Sequence, residues 1–104
     1  MGERSEIELY YSKNKEIYLY SHWTSIDELR QILASALIRG KDRWNDESYL
    51  ARIIFSDMIE DDIKSLTGYG ISPNSMGDYQ IKVNLIDQTI EGLTFEEFIK
   101  KYNN

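Results

Sequence analysis

The sequence predicts one α+β domain in which helices pack on one face of a mostly antiparallel β-sheet. Segments near the N-terminus alternate apolar and polar residues, later segments repeat apolar residues at helical spacing, and short gaps join the strands as hairpins. The chain of 104 residues is long enough for one hydrophobic core, so we assign residues 1–104 to a single domain. The predicted order of elements is β-β-α-α-β-β-β-α.

The first two strands form a predicted hairpin. Apolar residues alternate with polar residues and tyrosines over 6–11 and again over 17–20, with a short polar gap between them. If Ile7 and Leu9 face the core, a row of tyrosines occupies the opposite face, which an antiparallel sheet can leave open to water. Those tyrosines are Tyr10, Tyr18 and Tyr20.

The first helix is predicted over residues 26–39. Ser25 and Glu28 have the spacing of a capping box, in which each side chain bonds the other residue's backbone N–H. Apolar residues then repeat on one helical face as far as Leu37, and Gly40 is a favourable C-terminal stop.

A second helix is predicted to begin at Asn45 or Asp46, since both residues are good N-caps. Its apolar stripe starts at Leu50 and continues at similar spacing to Leu66. We therefore expect helical structure to continue, with a bend, toward Gly68.

The C-terminal third alternates again before ending in a helix. Strands are predicted over 69–72, 79–85 and 89–91. Thr94 and Glu97 form a second capping box, and the apolar residues that follow predict an amphipathic helix to about residue 102.

Composition excludes several classes of function. The chain has no cysteine, which rules out disulfides, thiolate nucleophiles and cysteine-ligated metals. The formal net charge of −6 argues against direct binding of nucleic acid, and no apolar run is long enough to cross a membrane. The acidic group Asp57, Glu60, Asp61 and Asp62 is typical of a solvated helix end, so we expect no metal and no cofactor.

Catalytic signatures are missing from the sequence. No Gly-x-Ser-x-Gly elbow, Ser-x-x-Lys motif or phosphate-binding loop occurs. The glycines of residues 67–72 are typical of a loop that needs positive φ angles after a helix. We therefore assign no catalytic residue.

The candidate ligand-binding site combines aromatic and cationic side chains around two helix starts. Arginine makes bidentate contacts with phosphates, and tryptophan and tyrosine stack on bases, so together they suit a nucleotide-like molecule. The alternative is that the rings are buried in the core and the arginines pair with acidic neighbours. The predicted ligand-binding residues are His22, Trp23, Arg43, Trp44, Tyr49 and Arg52.

Four segments resemble a group of small proteins encoded by phages and prophages. They are residues 1–4 (MGER), 18–23 (YLYSHW), 43–55 (RWNDESYLARIIF) and 67–72 (TGYGIS). In that group His-Trp is often followed by Gly-Gly, where this chain has Thr24-Ser25. The resemblance implies a phage protein acting in the cytoplasm of a host cell, and it carries no catalytic assignment.

Three hypotheses for function follow. The first is a non-enzymatic antagonist of a host system, such as antiviral defence, that sequesters a nucleotide-like ligand or blocks a host protein. The second is a small hydrolase or phosphodiesterase-like enzyme with His22 as base and Arg4, Arg43 or Arg52 stabilising an anion. The third is a virion structural or assembly protein, in which the tyrosine face supplies a homo-oligomer contact.

Overall fold

The computed structural model of the protein describes residues 4–103, so the first three residues of the MGER segment lie outside it. The strands are Ser5–Ser12 (β1), Lys15–Ser21 (β2), Tyr69–Ser72 (β3), Tyr79–Asn84 (β4), Thr89–Ile90 (β5) and Leu93–Thr94 (β6). The helices are Ile26–Arg39 (α1), Glu47–Met58 (α2) and Phe95–Tyr102 (α3), with a short 3₁₀ turn at Lys41–Arg43.

The α+β class is confirmed, and the sheet is mixed: of the strand pairs within residues 4–103, four are antiparallel and one is parallel. Its strand order is β3-β2-β1-β4-β5-β6, and the central pair β1–β4 is parallel. The predicted order of elements is wrong in detail, because a fourth C-terminal strand, β6, pairs with β5. The hairpin rule applies only to neighbouring segments, so it did not predict that β4 would lie on the far side of β1 from β3.

A short crossover segment, residues 73–78, creates this parallel pair. The segment starts at the end of β3, which lies at one edge of the sheet, and passes β2 and β1. The chain then enters β4 on the far side of β1. The crossover lies over the sheet face opposite the helices, since Met76 approaches Gly70 and Gly77 approaches Glu6 on that face. It is tied to the start of β1 because the backbone N–H of Asp78 donates to Arg4 at 2.6 Å.

The hydrophobic core lies between the other face of the sheet and the three helices. Residues at alternate positions of β1, β2 and β4 meet the apolar stripes of the helices there. Fully or almost fully buried members include Ile7, Leu9, Leu19, Ile81, Val83, Leu29, Leu33, Leu37, Leu50, Ile54, Phe95 and Phe98. Tyr11, which follows Ile7 and Leu9 in the same alternation, is 38% exposed near the end of β1, where the β1–β2 register shifts between Tyr10 and Ser12.

Helix starts follow their predicted caps. The side chains of Ser25, Asp46 and Thr94 accept from the backbone N–H three residues later, and Thr94 forms the full capping box with Glu97. The expected continuation of α2 toward Gly68 is wrong, because the helix ends at Met58. Turns then carry the chain back to the sheet edge, which leaves Leu66 98% exposed.

Glu6 is buried on the crossover side of the sheet, with 0% of its surface exposed. Its carboxylate accepts from the backbone N–H groups of Met76 at 2.9 Å and Gly77 at 3.0 Å. It also accepts from the Ser75 hydroxyl and the Gln80 amide. Burial alone would raise the pKa of Glu6, but these hydrogen bonds together lower it below its ordinary value of 4.5.

Replacing Glu6 with glutamine tests how much these hydrogen bonds stabilise the fold. A carboxyl group with a depressed pKa stabilises the fold above its unfolded-state pKa, and the contribution is lost as pH falls through the folded-state pKa. Glu6→Gln is expected to lower the free energy of unfolding near neutral pH by about 1–3 kcal/mol, because two backbone donors lose a charged acceptor. Below about pH 4.5 the difference from wild type should shrink. Urea unfolding at a series of pH values measures both effects.

Glu8→Gln is the matched control, since it removes a carboxylate two residues along the same strand and face. It should keep the acid response of the wild-type protein. If the free energy of unfolding fell equally with pH in wild type and in Glu6→Gln, the stabilising role of the Glu6 carboxylate would be contradicted.

Candidate functional site

The six predicted ligand-binding residues lie in separate places. His22 and Trp23 precede the N-terminus of α1, whereas the other four lie beyond its C-terminus and on α2. A helix of 14 residues is about 21 Å long, so the two groups are at opposite ends of α1. The structure therefore does not bring the six side chains into one pocket.

Trp44 is anchored in the body of the protein. Its indole N–H donates to the backbone oxygen of Leu37 at 3.0 Å, and its ring meets Phe95 edge-on at 5.2 Å. The outer side of the half-buried ring lines a hollow of about 510 Å³ together with Lys41 and Lys100. Trp44 is therefore a partly buried ring that packs against the core with one side and faces a hollow with the other.

Arg43, Tyr49 and Arg52 lie on an exposed surface around the start of α2. The Arg43 guanidinium is 5.0 Å from the centre of the Tyr49 ring, and Tyr49 is 51% exposed. Neither arginine forms an ion pair within residues 4–103. The N-terminus of α2 is already occupied, because the Asp46 carboxylate accepts from the Tyr49 N–H.

The Trp23 cluster, formed by Tyr20, His22, Trp23, Gly68 and Tyr69, is the more organised of the two places. Trp23 meets His22 edge-on at 5.7 Å and Tyr69 edge-on at 6.1 Å. The Tyr20 hydroxyl hydrogen-bonds to Nδ1 of His22 at 3.0 Å. The backbone N–H of His22 donates to Gly68 at 2.8 Å, which joins the end of β2 to the start of β3.

Gly68 makes room for the indole of Trp23. Its φ angle is +96°, a conformation that side chains rarely adopt, and a Cβ atom there would lie 1.9 Å from the Trp23 ring. The positive φ predicted for this glycine-bearing loop is therefore confirmed at Gly68. Held against this backbone, Trp23 is still 52% exposed.

The surroundings of the Trp23 cluster are acidic. The Tyr69 hydroxyl donates to the Asp62 carboxylate at 3.2 Å. Burial raises the pKa of Tyr69, and the hydrogen bond to Asp62 and the negative charges of Asp62, Asp61 and Glu28 raise it further. Tyr69 therefore remains a neutral hydrogen-bond donor at physiological pH.

The chemistry available at the cluster is aromatic recognition. A hollow of about 390 Å³ is lined by Tyr20, His22, Trp23, Thr67 and Gly68. Among these lining residues, His22 has the Tyr20 hydroxyl as its hydrogen-bonding neighbour and no charged side chain. In the part of the chain that the structure describes, no group of acidic or histidine side chains is arranged to hold a metal ion, and no helix has the length and apolar character to cross a membrane.

Tyr20, Gly68 and Tyr69 were missed as site residues. Tyr20 and His22 are two residues apart along a strand and therefore point to one face, a signal that the sequence contained. Tyr69 joins them only through pairing of Ser21 with Tyr69 between β2 and β3, which are separated by both long helices.

Replacing Gly68 with alanine tests the packing of Trp23. Gly68→Ala is expected to lower the free energy of unfolding by about 1–3 kcal/mol, because the Cβ collides with the indole and the φ angle is unfavourable. It should also shift the Trp23 indole N–H signal in NMR spectra. Gly70→Ala is the control, since its nearest neighbour would be Met76 at 3.6 Å. Equal effects of both substitutions would contradict the assignment.

Alanine substitutions at Trp44 and Tyr49 should change the free energy of unfolding by different amounts. Trp44→Ala is expected to cost about 3–5 kcal/mol, since it removes a ring packed on Phe95. Tyr49→Ala should change stability by roughly 0.5 kcal/mol or less, as is usual for a surface side chain. Chemical denaturation of both variants measures the difference, and a small loss in Trp44→Ala would overturn its structural role.

Comparison with known proteins found no match. The chain matches no protein-family model, no curated protein sequence and no solved structure.

Proposed function

We propose that the protein is a non-enzymatic, phage-type antagonist that blocks a host protein, with the Trp23 cluster as its anchor. The observation that carries this proposal is a large ring held in one position while half of it faces solvent. Trp23 is 52% exposed although its ring packs against His22, Gly68 and Tyr69.

A ring in this state is suited to binding a protein. Tryptophan and tyrosine are enriched among the residues that contribute most of the binding energy at interfaces. A side chain that is already ordered loses little conformational entropy when a partner covers it. The exposed half of Trp23 adds hydrophobic contact, and Tyr20 and His22 supply polar groups at its border.

The separation of the candidate residues favours protein blocking over nucleotide sequestration. A nucleotide site built from all six candidate residues needs Arg43 and Arg52 beside Trp23, but these arginines lie beyond the other end of α1 and have only Tyr49 as an exposed ring beside them. The hollow at Trp23 has no cationic side chain in its lining to neutralise a phosphate. The acidic charge of the chain also fits a protein partner better than an anion.

The phage context rests on the resemblance of residues 18–23, 43–55 and 67–72 to phage and prophage proteins. Two of those segments, 18–23 and 67–72, contain the members of the Trp23 cluster. A host system, such as antiviral defence, is the class of target that this context supports.

Replacing Trp23 with alanine tests the proposal. Tagged wild-type protein incubated with host lysate should retain a specific host protein, and Trp23→Ala should weaken that binding by about 2 kcal/mol, or roughly thirtyfold in Kd. Tyr49→Ala is the matched control, since Tyr49 is 51% exposed but lies at the other end of α1.

Native mass spectrometry of the retained material separates the alternatives. If Trp23→Ala retained the host protein as well as wild type does, the role of Trp23 as the anchor would be contradicted. A bound, unchanged nucleotide would instead support sequestration, and a cleaved nucleotide that requires His22 would support the enzyme hypothesis.

A further inference from the structure

The outer edge of β3 has hydrogen-bonding groups that face away from the sheet. In an antiparallel pair, hydrogen-bonded and non-hydrogen-bonded residue pairs alternate. The bond from the His22 N–H to Gly68 places the 22–68 pair in the hydrogen-bonded class, so the Gly70 and Ser72 pairs belong to it as well. The N–H and C=O groups of Tyr69 and Ile71 therefore point to the free edge.

β3 is only four residues long and Pro73 follows it, and both features limit how long an added strand can be. The other usual protections of an edge strand, a covering element or charged side chains, are not found at β3 within residues 4–103. Within residues 4–103 no hydrogen bond engages the outward backbone groups of Tyr69 and Ile71, and β3 contains no charged residue. Ile71 is 54% exposed, and the Trp23 ring lies beside Tyr69 at the start of the same strand.

The chain next to this edge is negatively charged. Glu60, Asp61 and Asp62 occupy the turns between α2 and β3, with Lys64 as the cation within those turns. The hydrogen bond from the Tyr69 hydroxyl to Asp62 ties this acidic segment to the side chain of the first residue of β3. A strand that adds to β3 therefore meets negative potential at the Tyr69 end, which favours lysine or arginine in that strand.

We propose that β3 binds an extended, basic segment of the partner protein as an added antiparallel or parallel strand, with Trp23 anchoring the same partner. This inference rests on the proposed function and specifies the chemistry of its partner. Main-chain hydrogen bonds to Tyr69 and Ile71 supply affinity, and alternate side chains of the added segment contact Ile71 and Trp23. A second copy of the chain is a poorer occupant, because each copy has a formal net charge of −6.

The decisive substitution removes one backbone donor and leaves the pairing with β2 intact. Ile71→Pro deletes an N–H that faces the free edge, a position where an edge strand accommodates proline. The preceding residue, Gly70, already has the extended conformation that proline requires of its neighbour. Ile71→Thr is the matched control, since it keeps the N–H and a β-branched side chain. Circular dichroism and urea unfolding establish that both variants are folded.

The probe is a library of random peptides displayed for binding to the whole protein. Peptides enriched on wild type should be rich in lysine and arginine alternating with β-branched residues. The most enriched peptide should bind Ile71→Pro about tenfold more weakly than wild type and bind Ile71→Thr within a few-fold. Amide exchange at Tyr69 and Ile71 should slow when the peptide is bound.

Several outcomes would overturn the added strand. They are enrichment of no peptide, enrichment without basic residues, and equal binding to wild type and Ile71→Pro. Concentration-dependent dimers in light scattering that disappear in Ile71→Pro would assign the edge to a second copy instead. Peptides that are insensitive to Ile71→Pro but lost in Trp23→Ala would refute the strand while leaving the proposed function standing.

Discussion

The buried carboxylate of Glu6 is the interaction on which the arrangement of this sheet depends. It neutralises the backbone donors of a crossover segment that would otherwise lie on the sheet with unsatisfied N–H groups. No cation pairs with it within residues 4–103, so neutral hydrogen bonds alone offset its burial. Gly77 permits the close approach, since a Cβ there would lie 3.0 Å from the Arg4 carbonyl oxygen.

The crossover leaves β3, the strand beside the Trp23 cluster, at the edge of the sheet. Because the chain leaves β3 and passes over β2 and β1, β4 becomes a central strand and β3 remains at the edge. Pairing of β2 with β3 brings Tyr69 beside Trp23 and Gly68 under the indole. A hairpin from β3 to β4 would have placed a partner strand on the edge that is now free. The exposed edge therefore has a topological cause in the crossover.

Local signals in the sequence predicted local structure well. Ser25, Asp46 and Thr94 mark helix starts because each satisfies backbone donors within its own first turn. The parallel pairing of β1 and β4 and the early end of α2 depend on contacts between residues far apart in sequence. Glu6 alternates with apolar neighbours as a surface residue would, and only the crossover segment, some 70 residues later, makes it a buried one.

The two tryptophans show why residue types alone did not locate the site. Each follows a cationic or imidazole side chain and lies beside a helix terminus, so the sequence assigns them similar roles. Trp44 has an acceptor in Leu37 and an aromatic neighbour in Phe95, both contributed by helices that close over it. Trp23 contacts groups from the last residues before α1 and from the edge strand, and within residues 4–103 it remains 52% exposed. The two rings therefore differ in exposure because of the elements packed around them, which the residue types next to each tryptophan do not encode.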